Sequence, residues 1–414
     1  MELSDYENAM AKGEFGEPRR FALEQQIVVG KFFEAADFVE ISQVHLMADG
    51  EAVGKAGVEM LEGLLRHGSA DCRLAVPTVT DPRGVDAKAC GRLRQPQGCR
   101  EREDRISTAL SRMGALLTNT CINYQTICPP TIGEHVAFGD TGSSNYANSV
   151  CGARTNFEGG VAALWAGLTG RVPRYGMHLA ERRQGTHHYK IVFQPESLSD
   201  WGALGALIGR EMKSYFDIPV ISGLTVNPVS DQLKHFAAAI ASYGSTPLFH
   251  MIGVTPEAPD LSTVFRYGTP QPVVISRDRL ATFYKSFRVE PGPIDIVVFS
   301  APQLSLFELQ TLANLLDGKR IHPSVTLIAT TSPEIAAAAD RMGLTERVTG
   351  AGGVLLEGVC FYQMYAREMG INNGWKRLVS NSAKLCNILG GYGYEPVLAT
   401  MERCVDAAVE GVLR

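Results

Sequence analysis

Residues 294–329 read IDIVVFSAPQLSLFELQTLANLLDGKRIHPSVTLIA, and this stretch decides the fold class. Ile294–Phe299 and Val325–Ala329 are short runs rich in β-branched residues, and Leu306–Leu316 between them has apolar residues at helical spacing. Parallel strands need a crossover connection, which is usually a helix. The stretch therefore predicts one β–α–β unit of an α/β protein.

The same alternation continues on both sides of this unit. Further predicted helices are Gln232–Ser242, Arg277–Phe287 and Pro333–Met342, and further predicted strands are Pro247–Val254 and Gly353–Cys360. Parallel sheets covered by helices bind ligands in crevices beyond the carboxyl ends of their strands. We therefore expect an α/β fold of several subdomains, with mainly parallel sheets flanked by helices.

The first half of the chain is less regular. It predicts helices at Glu51–Leu65 and Ile106–Leu117 and a short strand at Arg73–Val76 that leads into a loop. A last helix is predicted at Met401–Val412. We place the subdomains roughly at 1–200, 201–290 and 291–414.

Composition narrows the class of protein. The chain has 414 residues, of which 45% are apolar and 20% charged, with a net charge of -5. We find no apolar run of about 18 residues and no layout of a secretion signal, so we expect a cytoplasmic protein without a membrane span. The absence of a basic excess argues against nucleic acid as a partner.

The cysteines are odd in number and scattered. There are nine, with no C-x2-C pair, which argues against a disulfide framework and against a zinc ribbon. Most of them can simply be small buried apolar side chains. A metal site would have to be assembled from cysteines that are far apart in sequence.

Residues 121–160, CINYQTICPPTIGEHVAFGDTGSSNYANSVCGARTNFEGG, form an unusually polar segment. A long polar loop inside a compact enzyme is seldom mere connection, although a surface loop with turn chemistry is the alternative. Arg154 has the fork that grips a carboxylate at two points, and Asn148 and Ser149 offer amide and hydroxyl groups. These three side chains are candidates for binding a substrate.

Three further residues have both a functional and a structural interpretation. His45 follows an apolar run at a predicted strand end, and His250 lies in LFHMIGVTPEA after another strand. Lone histidines in such positions are often buried, hydrogen-bonded structural residues. Lys384, in VSNSAKLCN, can equally face solvent from a short helix that Ser382 caps. No nucleophile elbow, phosphate loop or dinucleotide fingerprint is present.

Several strings resemble the large subunit of the aconitase X family. They include ENAMAKGEFGEPRRFALE near the start, NSVCGARTNFEGG in the middle and LFHMIGVTPEA further on, and the resemblance runs from about Leu3 to Val412. It implies an aconitase-like fold and the dehydration of a small hydroxy acid. It also implies a small swivelling domain that closes the site. We expect a separate small subunit that carries this domain and a catalytic serine.

The resemblance also implies a cysteine-bound iron centre, either an iron–sulfur cluster (2Fe–2S or 4Fe–4S) or a single iron. Cys121 and Cys360 fall on two ligand positions. The phosphomevalonate dehydratases of the family have a third cysteine in a G-C-P-H string, which here reads Ser300-Ala301-Pro302-Gln303. Cys151 is our candidate for the missing ligand.

The departures from the family bear on the substrate. Relatives show E-S-S where this chain has Asp140-Thr141-Gly142, and T-N or T-L-N where it has Asp81. Both strings line the substrate pocket in the family, so these departures point to a different substrate. The missing G-C-P-H cysteine argues against a phosphomevalonate dehydratase, and we prefer a dehydratase that converts cis-3-hydroxy-L-proline to 1-pyrroline-2-carboxylate. A phosphomevalonate dehydratase, another aconitase-like hydro-lyase or isomerase, and a non-catalytic binding subunit are the alternatives.

The expected roles follow from the needs of a dehydration. An open iron position would act on the departing hydroxyl. Lys384 and Arg154 would clamp the carboxylate of the substrate, and His45 or Asp140 would assist a serine base from the partner. The remaining predicted substrate contacts are Asp81, Thr141, Asn148, Ser149, His250 and Ser382.

Overall fold

The protein is described here by a computed structural model that covers residues 1–68, 70–287 and 290–414. The helices are α1 Asp5–Ala11, α2 Glu17–Phe32, α3 Gly50–Leu65, α4 Cys99–Met113, α5 Asn123–Thr126, α6 Thr141–Ser149, α7 Val161–Thr169, α8 Leu198–Gly209, α9 Ser230–Gly244, α10 Leu261–Val264, α11 Arg277–Ser286, α12 Leu306–Leu315, α13 Pro333–Arg341, α14 Leu344–Gly350, α15 Ala366–Asn373, α16 Ala383–Gly390 and α17 Met401–Glu410. Short 3-10 turns lie at Gly176–His178, Ala180–Arg183 and Phe361–Gln363.

The strands are short and are interleaved with these helices. They are β1 Phe38–Glu40, β2 Val44–Leu46, β3 Thr78–Thr80, β4 Ala137–Phe138, β5 Arg171–Pro173, β6 His187–Ile191, β7 Pro219–Ser222, β8 His250–Met251, β9 Val273–Ile275, β10 Gly292–Pro293, β11 Ile296–Leu304, β12 Thr326–Thr331, β13 Val354–Glu357, β14 Arg377–Ser380, β15 Glu395–Leu398 and β16 Val412–Leu413.

Parallel sheets organise the molecule. The strand orders are β3-β2-β4, β8-β7-β6-β9 and β13-β12-β11-β14-β15, and every pairing within these three sheets is parallel. Two small antiparallel pairs, β1-β5 and β10-β16, complete the described sheets. The prediction of mainly parallel sheets flanked by helices is confirmed.

The five-stranded sheet holds the largest hydrophobic core. All nine residues of β11 are buried, as expected for a central strand of a parallel sheet with helices on both faces. Strands β12 and β13 lie on one side of β11, and strands β14 and β15, which come later in the chain, lie on its other side. This order creates a topological switch point between β11 and β14, where a crevice opens beyond the carboxyl ends.

The structure corrects several local predictions. The strand expected at Arg73–Val76 lies instead at Thr78–Thr80, where it pairs with β2. The helix expected at Ile106–Leu117 runs from Cys99 to Met113, between glycines with positive φ that end it on both sides. The polar segment 121–160 is not one loop, because it contains α5, β4 and α6. No helix in the described ranges is long and apolar enough to cross a bilayer.

Candidate active site

The candidate site lies where the carboxyl ends of two sheets meet. The three-stranded sheet brings His45 on β2, Asp81 just after β3 and Asp140 just after β4. The five-stranded sheet faces it with the end of β11, the residues after β13 and the start of α16. Two side-chain hydrogen bonds join the sheets: Lys384 donates to Asp140 over 3.0 Å, and Gln363 donates to Asp81 over 2.8 Å.

Lys384 and Asp140 form a buried ion pair. Their side chains are 5% and 4% exposed. Asp140 also caps α6, because its Oδ2 accepts a hydrogen bond from the Ser143 N–H at 2.9 Å. Burial alone would raise the pKa of Asp140, but the positive charge of Lys384 outweighs it and the pKa is lowered. Burial would lower the pKa of Lys384, and the charge of Asp140 raises it above its ordinary value. Both groups are therefore ionised at neutral pH, and the solvent-facing alternative for Lys384 is wrong.

Two thiols lie side by side next to this ion pair. A hydrogen bond with the Cys360 thiol and burial raise the pKa of Cys121 well above its ordinary value. Cys121 is 6% exposed and Cys360 is 1% exposed. The Ser300 hydroxyl is 3.6 Å from Cys360 Sγ, and the Gln303 N–H donates to Cys121 Sγ over 3.4 Å. Cysteines from distant parts of the chain thus converge at the end of β11.

His45 and Asp81 lie on the other wall of the crevice. His45 Nε2 is 2.8 Å from the carbonyl oxygen of Thr120 and 3.4 Å from Asp81 Oδ1, and its ring is fully buried. Burial lowers the pKa of His45, so its imidazole is neutral. Burial and the negative charge of Asp140 raise the pKa of Asp81 well above its ordinary value. The pKa values of the two carboxyl groups are therefore shifted in opposite directions.

Sequence reasoning missed two residues of this site, Tyr362 and Gln363. The ring of the partly buried Tyr362 lies over Lys384, with Nζ 5.6 Å from the ring centroid. Burial and the charge of Asp140 raise the pKa of its phenol well above the ordinary value. Gln363 contacts both Asp81 and Asp49. Their position directly after Cys360, beyond a predicted strand, is the signal that could have identified them.

Thr141 and Ser382 lie beside the ion pair. Thr141 is the first residue of α6, and its side chain is partly exposed. Ser382 caps α16 by accepting a hydrogen bond from the Leu385 N–H, and its hydroxyl also donates to the Ala301 carbonyl. The hydroxyl of Ser382 is thus engaged within the protein.

The structure does not bring Arg154, Asn148, Ser149 or His250 to the crevice. Asn148 bonds to Thr155, the Pro247 carbonyl and Arg183, and Ser149 accepts from the Phe249 N–H. His250 Nε2 contacts the Arg183 carbonyl, and Arg154 donates to the His178 carbonyl. Asn148 and Ser149 lie at the carboxyl end of α6, and Asp140 lies at its amino end, about 13 Å away. Their assignment to substrate binding remains a prediction that these contacts do not support.

Cys151 also lies away from the thiol pair. It follows the carboxyl end of α6, while Asp140 and the crevice lie at the amino end of that helix. Burial and the negative charge of Glu134 raise the pKa of its thiol to about 11. In residues 1–68, 70–287 and 290–414 no group of three or more His, Cys, Asp or Glu side chains is arranged to hold a metal ion. The predicted set Cys121, Cys151 and Cys360 is therefore not assembled here.

The chemistry of the crevice follows from these charges. A buried lysine, its carboxylate partner, a second carboxyl group with a raised pKa and a phenol lie together at the switch point of a parallel sheet. Such a set can bind an anionic group, donate hydrogen bonds and move protons. The fold and the site define an α/β enzyme that performs acid–base chemistry on a small polar substrate.

Comparisons with known proteins narrow this class to one family. Models of the Aconitase X first, second and third domains match residues 1–181, 185–285 and 294–410. The phosphomevalonate dehydratase large subunit of Methanothermobacter thermautotrophicus is 32% identical over 397 residues, which are 94% of each chain. The cis-3-hydroxy-L-proline dehydratase of Pseudomonas aeruginosa is 31% identical over 99% of this chain and 70% of that protein. This chain belongs to the aconitase X family and is a hydro-lyase.

A solved structure supports the same assignment. The holo-form of aconitase X from Thermococcus kodakaraensis superposes with a TM-score of 0.88 at 26% identity, over 99% of this chain and 100% of that chain. The family resemblance and its dehydratase relatives confirm that the chain is an enzyme. The alternative of a non-catalytic binding subunit is therefore not retained.

The side chains present do not fit an iron centre held by three cysteines. Two thiols meet at the end of β11. At the place of the cysteine in the family's G-C-P-H string, this chain has Ala301, which offers only a methyl group and is 1% exposed. Iron–sulfur clusters are held by thiolate ligands, usually three or four per cluster. Cys151, the proposed replacement, is about one helix length away.

Proposed function

We propose that this chain is the catalytic large subunit of a dehydratase that converts cis-3-hydroxy-L-proline to 1-pyrroline-2-carboxylate. The observation that carries the proposal is the buried Lys384–Asp140 pair, whose charges act on the nearby Asp81, a carboxyl group with a raised pKa. The proposal also includes a separate small subunit, because two relatives, from Methanothermobacter thermautotrophicus and Methanocaldococcus jannaschii, are named large subunits.

Lys384 is the proposed clamp for the substrate carboxylate. An ammonium group has three N–H donors, and the hydrogen bond to Asp140 uses one of them. The other two can be donated to a carboxylate that enters the crevice. A charge-assisted contact of this kind in a buried site fixes the orientation of the ring as well as its affinity.

The elimination then needs an acid and a base. The Asp81 carboxyl group donates a proton to the C3 hydroxyl as the C–O bond breaks and water leaves. The C2 proton passes to a base, which the family resemblance assigns to a serine of the small subunit. The electron pair of the C–H bond forms the C2–C3 double bond, and the resulting enamine tautomerises to the cyclic imine.

The charge of the site favours a small amino acid over a phosphorylated hydroxy acid as the substrate. Asp140 offsets the charge of Lys384, while burial lowers the pKa of His45 and raises the pKa of Asp81, which disfavours the charged form of both. A zwitterion with one carboxylate suits such a site. A substrate that carries both a phosphate and a carboxylate would need additional cations to offset its desolvation. Phosphomevalonate is the second candidate, because it is the substrate named for the 32% identical relative.

The test is an assay of the full chain, co-expressed with its small subunit, on cis-3-hydroxy-L-proline, trans-3-hydroxy-L-proline, trans-4-hydroxy-L-proline and 5-phosphomevalonate. We expect formation of the imine, detected with o-aminobenzaldehyde, from the cis-3 isomer alone. Turnover of 5-phosphomevalonate, with none of cis-3-hydroxy-L-proline, would replace the proposed substrate with the second candidate. Turnover of none of the four compounds would refute both.

A further inference from the structure

Gln303 occupies the junction between the two segments that carry the thiols. It lies near the end of β11 and is fully buried. Its Oε1 accepts a hydrogen bond from the Cys121 N–H at 3.2 Å. Its Nε2 lies within hydrogen-bonding distance of three carbonyl oxygens, those of Asn119 at 3.2 Å, Thr331 at 3.2 Å and Val359 at 3.1 Å, which share its two N–H donors. One amide group thus contacts the segment before Cys121, the end of β12 and the residue before Cys360.

The backbone of Gln303 is held as well. Its N–H donates to Cys121 Sγ over 3.4 Å, and its carbonyl accepts from Lys234 Nζ over 3.2 Å. Lys234 is fully buried and pairs with Glu308 and Asp231. This ion cluster joins α9 to the start of α12, so the position of Gln303 is fixed from the side opposite the thiols.

We propose that Gln303 is a positioning residue that fixes the separation of the Cys121 and Cys360 thiols. The two cysteines lie in loops that no strand pairing of the described sheets joins directly. Without the Gln303 amide, the Cys121 N–H, the buried Val359 carbonyl and the partly buried Asn119 carbonyl lose a partner, whereas the Thr331 carbonyl keeps the Gly358 N–H. Each unmet group favours movement of its loop toward water. The proposal concerns the thiol pair of the proposed site and does not depend on the substrate.

Arsenite gives a readout of thiol separation that is independent of catalysis. As(OH)3 condenses with two thiols to form As(OH)(SR)2 and releases two molecules of water, with no change of oxidation state. One arsenic atom joins both sulfur atoms only when these can approach each other closely. The full-length chain, reduced and treated with a chelator, is mixed with sodium arsenite, and the bridged peptides are mapped by mass spectrometry. Cys121→Ser identifies the adduct, because it leaves one thiol of the pair.

The variant is Gln303→Met, which keeps the length of the side chain and removes its hydrogen bonds. Its matched control is Gln26→Met, because Gln26 is also buried and also bonds to distant residues, donating to the Arg171 carbonyl at 2.6 Å. We expect both variants to lose thermal stability. Only Gln303→Met should bridge Cys121 and Cys360 more slowly, by about tenfold.

Two results would overturn the proposal: bridging at the wild-type rate in folded Gln303→Met, or an equal slowing in Gln26→Met. Hydrogen exchange of the wild-type chain tests the same point if Gln303→Met does not fold. Because Gln303 bonds both the Cys121 N–H and the Val359 carbonyl, loss of its contacts should open both segments together, so the Cys121 amide and those of residues 359–361 should exchange within about threefold of each other. Exchange of the Cys121 amide independently of that segment would equally contradict a shared restraint.

Discussion

The Nζ atom of Lys384 lies 3.0 Å from Oδ1 of Asp140, although 244 positions separate the two residues in the chain. Asp140 lies two residues after β4 of the three-stranded sheet, and Lys384 lies in the first turn of α16, the helix that follows β14 of the five-stranded sheet. The pair is therefore both a link between two sheets and the charged centre of the crevice. Its two roles, in stability and in catalysis, can be separated by substitution.

Lys384→Met should lower kcat/KM about 100-fold, the effect of losing a hydrogen bond between charged groups. It should also lower the free energy of unfolding by about 3–5 kcal/mol, because Asp140 is left buried and unpaired. The double variant Lys384→Met/Asp140→Asn should recover stability without recovering activity. Lys55→Met, at an exposed lysine, serves as the control for the loss of one charge. Recovery of activity together with stability in the double variant would show that the pair is only structural.

Tyr362→Phe tests whether the phenol meets the substrate. The variant keeps the ring over Lys384 and removes the hydroxyl group, so we expect kcat to fall about tenfold while the fold is retained. Steady-state kinetics and circular dichroism measure the two effects. Tyr392→Phe is the matched control, since Tyr392 is also partly buried and stacks on Arg367 away from the crevice. Wild-type kinetics in Tyr362→Phe would exclude the hydroxyl from the reaction.

The regular elements were predictable where their ends are encoded locally. The helix predicted from Leu306 ends one residue earlier than expected, and the Ser305–Glu308 capping box marks its start. Pro333 marks the start of α13 by a different local signal, because proline is favoured at the first position of a helix. Thr78–Thr80 was missed because three residues carry no periodicity, and only the pairing with β2 makes them a strand.

The sequence allowed prediction of those site residues whose type and motif point to a chemical role. Lys384, Asp140 and Cys360 were identified from motifs, and the structure places them around one crevice. Arg154 and His250 were assigned to the same site because polar composition does not reveal which groups satisfy each other. The structure shows both bonded to backbone carbonyls elsewhere. Gln303 had been noted only as a departure from a family string, since its contacts are all tertiary.

Iron content tests the ligand set directly. We expect the wild-type chain to bind less than one iron per chain, because only two thiols meet at the end of β11. Ala301→Cys should raise the bound iron and its visible absorption, since it adds a third thiol beside the pair. Cys151→Ser should leave both unchanged, because Cys151 lies beyond the far end of α6. Loss of iron in Cys151→Ser would restore this residue as a ligand.

Glu158 predicts how stability depends on pH. Its side chain is buried, its Oε1 has no hydrogen-bond partner among the described residues, and burial raises its pKa to about 7 from an ordinary value of 4.5. The folded chain therefore keeps this proton over a range in which the unfolded chain has lost it. Stability must then fall as pH rises through that range, and the loss is complete above pH 7.

Glu158→Gln removes this dependence while keeping the shape of the side chain. We expect the variant to match the wild type at pH 4.5 and to exceed its free energy of unfolding by about 3 kcal/mol at pH 8. Denaturant titrations at intervals between these pH values measure the difference. Glu14→Gln, at an exposed position, controls for the change in net charge and should differ little from the wild type throughout. The difference in free energy of unfolding grows with pH only if the native state holds the Glu158 proton. A difference that stays constant with pH would therefore mean that Glu158 is ionised in the folded chain.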